Sequence, residues 1–146
     1  MKVVVTPVPD QVDLITLEEV KDFLSVDYDD FDSLLLLLLA SAISASQKYT
    51  GLVYPISTVE VTDYDPCKDN KYPVSPYVED GPDIEGGYSY TAGYGAENLP
   101  GDLKIAILTR VADGFKYRES SVSDAVNRTV TASVYTEFSY RNAPMI

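Results

Sequence analysis

The chain contains no histidine and no tryptophan, and its 146 residues include a single cysteine, Cys67. Without histidine, Ser-His-Asp and Cys-His catalysis are excluded. With one cysteine there is no disulfide within the chain and no Cys/His zinc site. Cations are also scarce: 11 Lys+Arg stand against 23 Asp+Glu, a formal charge of −12. A general binder of the phosphate backbone needs basic patches that release counterions, so that class is excluded as well. Long apolar runs are missing. Val3 to Val5 is too short for a signal sequence. Leu34 to Ala40 falls well below the roughly 20 apolar residues that span a bilayer. The expectation is therefore a protein with no catalytic residues, no metal, no cofactor and no membrane partner.

The chain does contain one domain's worth of apolar residues, 45% hydrophobic against 23% charged, so residues 1–146 are read as a single domain. Thr16 followed by Glu19 is a capping-box pattern, and Leu17, Val20 and Leu24 continue it as an apolar stripe. The acids between Asp27 and Asp32 suit the positive end of a second helix, expected from about Asp30 to Tyr49 with Gly51 as its stop. Six leucines, Leu34 to Leu39, cover every side of that helix. Such a helix wants burial all round, from its own domain or from another subunit. Pro100 opens a third helix, 100–118, with Leu103, Ile107, Val111 and Phe115 at i+4 spacing facing the core.

Between these helices, 53–95 reads as a β-rich and looped excursion. Val59 and Val61 alternate with polar residues, Tyr88 to Tyr94 alternates aromatic with small residues, and one irregular strand is expected at 72–78. Beyond Glu119, Val130, Val134 and Phe138 fit a helix, while Val130, Ala132, Val134, Thr136 and Phe138 fit a strand equally well. The resulting fold class is mainly α, a bundle of about three to four helices with the excursion inserted.

No motif of chemistry survives scrutiny. Counted from Asp27, the glycine and glutamate positions of a calcium loop are Asp32 and Leu38. Gly93-Tyr94-Gly95 starts like a dinucleotide fingerprint, but its last position is Asn98 and no βαβ unit surrounds it, so a turn is expected. Cys67, between Pro66 and Lys68, reads as a surface thiol. Acidity is uneven: residues 1–100 hold 5 Lys+Arg and 18 Asp+Glu, a balance of −13, while 101–146 hold 6 and 5.

The order of motifs carries more than any one of them. Ile15-Thr16-Leu17-Glu18-Glu19-Val20-Lys21-Asp22-Phe23-Leu24 precedes Val26-Asp27-Tyr28-Asp29-Asp30 and the leucine helix, which ends in Gln47-Lys48-Tyr49-Thr50-Gly51. Tyr90-Thr91-Ala92-Gly93-Tyr94-Gly95 and Leu99-Pro100-Gly101-Asp102-Leu103 follow, and the helix closes with Phe115-Lys116-Tyr117-Arg118-Glu119. This order resembles the head–tail connector (adaptor) proteins of tailed bacteriophages, across 15–51 and 88–119. The resemblance implies a structural virion protein, made in the host cytoplasm and located in the neck at the head–tail interface. It implies a ring of about a dozen copies closed by heterologous contacts. The implied partners are the portal protein, neighbouring copies, a downstream stopper or tail protein, and viral DNA passing without sequence-specific binding. An acidic lumen repels phosphates and suits such passage.

Residues 120–146 would be the C-terminal docking segment, with Phe138, Tyr140 and Arg141 as its contacts, since aromatics and arginine dominate interfaces. Lys104, Arg110, Lys116 and Arg118 would pair with Glu79, Asp80, Asp83 and Glu85 of a neighbour. The alternative function is an acidic, DNA-mimicking inhibitor or another protein-binding module, which the charge alone allows.

Overall fold

In the computed structural model, residues 1–116 together with Glu137, Phe138 and Tyr140 are described. They form two compact units, one from Met1–Leu14 and Gly51–Leu99, the other from Ile15–Thr50 and the described residues from Pro100 onward.

The first unit is built on a sheet. Its strands are β1 (Lys2–Pro7), β2 (Ser57–Thr62), β3 (Tyr77–Ile84) and β4 (Gly87–Ala92), in the order β1-β2-β4-β3 with every neighbouring pair antiparallel. The mainly α expectation is thereby corrected: this is an α+β chain with a four-stranded antiparallel sheet. Two of the strands carry no period-two signal. Val3-Val4-Val5 does not alternate, and its partner residues lie in β2, far along the chain. β3 holds Gly81, Pro82 and three carboxylates, a composition that reads as a loop. The irregular strand expected at 72–78 instead begins at Tyr77 and runs to Ile84.

Alternation then sorts the faces. Register places Val3, Val5, Val59, Val61, Tyr88 and Tyr90 on one side, and Val59, Val61, Tyr90 and Ala92 are buried there. Tyr64, Tyr72 and Val74, from the segment before β3, pack over them. Tyrosine suits this position because its ring fills the core while its hydroxyl meets backbone. The Tyr90 hydroxyl donates to Val74 O at 3.1 Å and accepts from Val74 N–H at 2.8 Å. Tyr72 meets Tyr90 edge-on, with ring centroids 5.2 Å apart. Burial raises the Tyr90 hydroxyl pKa, so this hydrogen-bonded ring stays neutral.

After β4, Gly93 sits at φ 120°, where a Cβ would lie 2.2 Å from Pro55 O, so only glycine fits. The turn lets Tyr94 N–H and Gly95 N–H both donate to Tyr54 O, each at 2.9 Å. This Gly-Tyr-Gly is the expected turn, and it leads into the short helix α3 (Gly95–Asn98).

The second unit is helical: α1 (Leu17–Leu24), α2 (Asp32–Thr50) and α4 (Gly101–Lys116). Thr16 caps α1 by accepting from Glu19 N–H at 3.2 Å. Gly51 at φ 74° follows α2, as its role as a stop requires. Val20, Leu35, Leu39, Ala42, Leu103, Ile107 and Val111 form the buried centre. Phe115 is half-buried and meets Phe31 edge-on at 5.3 Å. Gly114 lets α4 approach α2 closely, since a Cβ there would lie 2.8 Å from Leu38 Cδ2. The leucine run divides by side: Leu35 and Leu39 are buried, whereas Leu36 and Leu37 are 50% and 68% exposed.

Two neighbouring leucines should therefore respond differently to truncation. In urea unfolding of the monomeric chain, Leu35→Ala is expected to cost about 2–5 kcal/mol. Leu37→Ala should stay within about 0.5 kcal/mol of the parent. Equal losses at the two sites would refute this division of the helix.

Candidate functional site

Two of the four basic side chains expected to bridge subunits, Lys104 and Arg110, are engaged inside the helical unit. Lys104, on the first turns of α4, forms an ion pair with Glu19 on α1. That ammonium, hydrogen-bonded to the carboxylate, holds Glu19 below the usual carboxylate pKa. Glu19 was positioned by its capping role, where its carboxylate also accepts from the Thr16 hydroxyl at 3.4 Å. One residue thus serves the helix start and the contact between α1 and α4.

Arg110 makes the more consequential pair. Its Nε–H donates to Glu137 Oε1 at 2.9 Å, and its Nη2–H donates to Glu137 Oε2 at 2.5 Å. This two-bond fork is the geometry that suits guanidinium to carboxylate. The Glu137 side chain is 0% exposed. Sequence reading passed over Glu137, because a lone glutamate in a Ser/Thr-rich stretch has no periodic signal. The nearest clue was an arginine within an otherwise apolar part of α4.

Among the three docking candidates, Phe138 is helical and 52% exposed. Tyr140 is half-buried, and its hydroxyl donates to Asp102 Oδ1 at 2.5 Å. Arg141 lies outside the described residues, as does Arg118. The expected docking segment 120–146 is likewise described only at Glu137, Phe138 and Tyr140. Lys116 is exposed at the end of α4. In the sheet unit, Glu79, Asp80, Asp83 and Glu85 are all exposed along β3 and its turn, and Asp80 accepts from the Tyr72 hydroxyl at 3.2 Å.

The acids at 27–32 have an internal use. Lys21 Nζ lies 2.6 Å from Asp29 Oδ1 and 2.6 Å from Asp32 Oδ1, tying α1 to the start of α2. Hydrogen bonds to both carboxylates raise the Lys21 pKa, and the same ammonium lowers that of Asp29. The clamp is complete above the carboxylate range; it weakens as pH falls through the Asp29 pKa, and again only when strong base neutralises Lys21. Cys67 is exposed. Among the described residues no group of Cys, Asp and Glu is arranged to hold a metal ion, and no helix is long and apolar enough to cross a membrane.

These geometries separate a strong pair from a weak one. Arg110→Met should cost about 3–5 kcal/mol, because it leaves the buried Glu137 charge uncompensated. Arg110→Met combined with Glu137→Met should recover most of that loss. Lys104→Met, at a half-exposed pair, should cost less than about 1 kcal/mol. Equilibrium unfolding of the four proteins decides it, and a double variant as unstable as the single one would contradict the desolvation argument.

Residues 14–142 match the family described as phage gp6-like head-tail connector proteins. Among solved structures, a chain in the virion of a native gene transfer agent particle is similar, at 18% identity and a TM-score of 0.69, with 97% of each chain covered. A chain in the neck of an empty gene transfer agent particle, resolved with C6 symmetry, is 17% identical with a TM-score of 0.63, covering 98% of this chain and 97% of that one. At such identities the likeness speaks for the fold. No curated protein matches in sequence. The order of capping box, leucine helix, Gly-Tyr-Gly turn and proline-led helix, now extended by a match over nearly the whole length, establishes that the chain belongs to the phage gp6-like head-tail connector family.

Proposed function

We propose that this connector works as a non-enzymatic ring subunit between portal and tail, and that the ring closes over the uncovered side of α2. The observation that carries the reading is the exposure of Leu36 and Leu37 beside Ser33, Ala40, Ser41 and Ser44, on a helix whose opposite side is core. Burying each leucine against a neighbour returns about 1–2 kcal/mol, half or more of a full leucine transfer. Small residues beyond the two leucines let another helix approach closely. Heterologous contacts that repeat around an axis close into a ring, and each copy then covers the next.

Charge supports the same assembly. Lys104 and Arg110 hold Glu19 and Glu137 within the subunit; between copies, Lys116 and Arg118 are read as meeting Glu79, Asp80, Asp83 and Glu85. Phe138 supplies an exposed aromatic for docking onto the portal, with Tyr140 and Arg141 beside it in sequence. A subunit of net charge −12 repels the phosphates of a passing duplex, so the genome slides without being held.

Leu37→Glu tests the ring. By sedimentation or native mass measurement, the variant should remain monomeric at concentrations where the parent assembles, with at least a tenfold weaker association. Its melting temperature should match that of the parent monomer, because Leu37 is outside the core. Assembly indistinguishable from the parent would remove α2 from the interface.

A further inference from the structure

The turn between α1 and α2 exposes two aromatic rings that the helical core does not use. Phe23, on the last turn of α1, is 42% exposed, and Tyr28, three residues before Phe31, is 50% exposed. Neither position follows from burial, since Val20 and Val26 are the buried residues of this stretch. The two rings are held differently. Tyr28 is the outer member of a ladder, edge-on to Phe31 at 5.8 Å, and Phe31 is in turn edge-on to Phe115 at 5.3 Å. Phe23 is carried by α1 itself.

The backbone between them is fixed. Ser25 takes the left-handed conformation at φ 56°, where its N–H donates to Asp22 O at 3.3 Å, and Val26 N–H donates to Lys21 O at 3.0 Å. Lys21 then ties the turn to α2 through Asp29 and Asp32. A partner meeting this turn therefore finds the rings already placed, and little ordering is lost on contact.

Charge states what kind of partner fits. From Asp22 to Asp32 the chain holds five aspartates and no cation. The adjoining Lys21 is committed to Asp29 and Asp32, whereas Asp22, Asp27 and Asp30 are exposed and form no ion pair among the described residues. These three carboxylates belong to the same turn as the two rings. Aromatic faces attract a cation, and guanidinium, being planar, stacks on a ring while its N–H groups reach carboxylates. Exposed aromatics within a polar rim are also the pattern of an interface centre. A second copy brings a further net charge of −12, so the field around this acidic turn favours a basic molecule of another kind.

We propose that the α1–α2 turn is a docking site for a basic, arginine-bearing segment of a protein other than this chain. Phe23 and Tyr28 receive the guanidinium and its apolar neighbours, and Asp22, Asp27 and Asp30 meet its charge. This site stands independently of the ring proposed above.

Photo-crosslinking tests the occupant, with p-benzoylphenylalanine in place of Tyr28 in the full chain. Irradiation is compared for rings of the chain alone and for complete particles. In particles an adduct should form with a different protein, mapped beside an arginine. An adduct with a second copy would overturn the occupant, an adduct on a segment without arginine would overturn the charge argument, and no adduct would overturn docking at this turn. A second measurement uses no crosslinker. Asp22→Asn, Asp27→Asn and Asp30→Asn combined should keep the parent melting temperature but enter particles at least tenfold less well. Asp10→Asn, Asp13→Asn and Asp63→Asn combined make the same change of charge at exposed positions of the sheet unit, and should enter as the parent does. Equal loss in the two triple variants would reduce the effect to net charge and overturn the site, as would normal entry of the first.

Discussion

Six leucines in succession put apolar surface on every side of α2, and α1 and α4 do not cover all of it. Much of the helical unit's form follows from that constraint. α1 and α4 cover the side bearing Leu35, Leu39 and Ala42, and α4 comes close enough that a Cβ at Gly114 would press on the terminal methyl of Leu38. The side bearing Leu36 and Leu37 is left to water. In a monomer this arrangement sacrifices a few kcal/mol of possible burial; in an assembly it stores that free energy for the contact between copies. Leucine is well suited to both tasks, since it is a strong helix former and its burial is independent of direction.

The scarcity of cations sharpens how each is used. Lys21 holds two aspartates, Lys104 holds the helix-capping Glu19, and Arg110 holds the buried Glu137. These pairs join elements separated in sequence, so they select which surfaces meet within the helical unit. The three are unequal in strength. An ammonium shared between an exposed carboxylate, Asp29, and a partly buried one, Asp32, gains less. A guanidinium forked onto a fully buried carboxylate is costly to break from either side. Arg110 therefore fixes the placement of Glu137, and with it the presentation of Phe138 next in the chain. A residue taken from sequence for a subunit contact turns out to position a surface by acting inside the fold.

What was legible in the sequence was local. Thr16 and Glu19 announce α1 three residues apart, Gly51 ends α2, Pro100 opens α4, and Val59 and Val61 alternate across β2. In each case the signal and its cause lie within a few residues. β1 and β3 failed that condition. Val3-Val4-Val5 has apolar residues on both sides because an edge strand is partly exposed on both, and only pairing with β2 makes it a strand. β3 reads as a loop because the features that protect a sheet edge, namely bulges, proline and inward carboxylates, are the same ones that mark turns. Counting helices alone therefore understated the sheet. Glu137 failed for a related reason, since its burial depends on an arginine in another element. The candidate contacts were legible as residue types, an aromatic or a cation, but not as to which carboxylate each would meet.

The protein is incomplete in two chemically distinct ways, and the distinction bears on how a neck can be assembled in order. The open side of α2 lacks apolar cover, which any complementary helix surface supplies and which is non-directional. The open edge of β1 lacks hydrogen-bonding partners, which only an extended backbone supplies, in one register and one plane. In the proposed ring, copies of one chain satisfy the first need among themselves by cyclic repetition. Among the described residues the other edge of the sheet, β3, is interrupted by bulges and a proline and is poorly built to pair with β1. The blunted β3 edge is thus as important as the open β1 edge. Without it, sheet-to-sheet pairing between copies would compete with ring closure and permit open filaments.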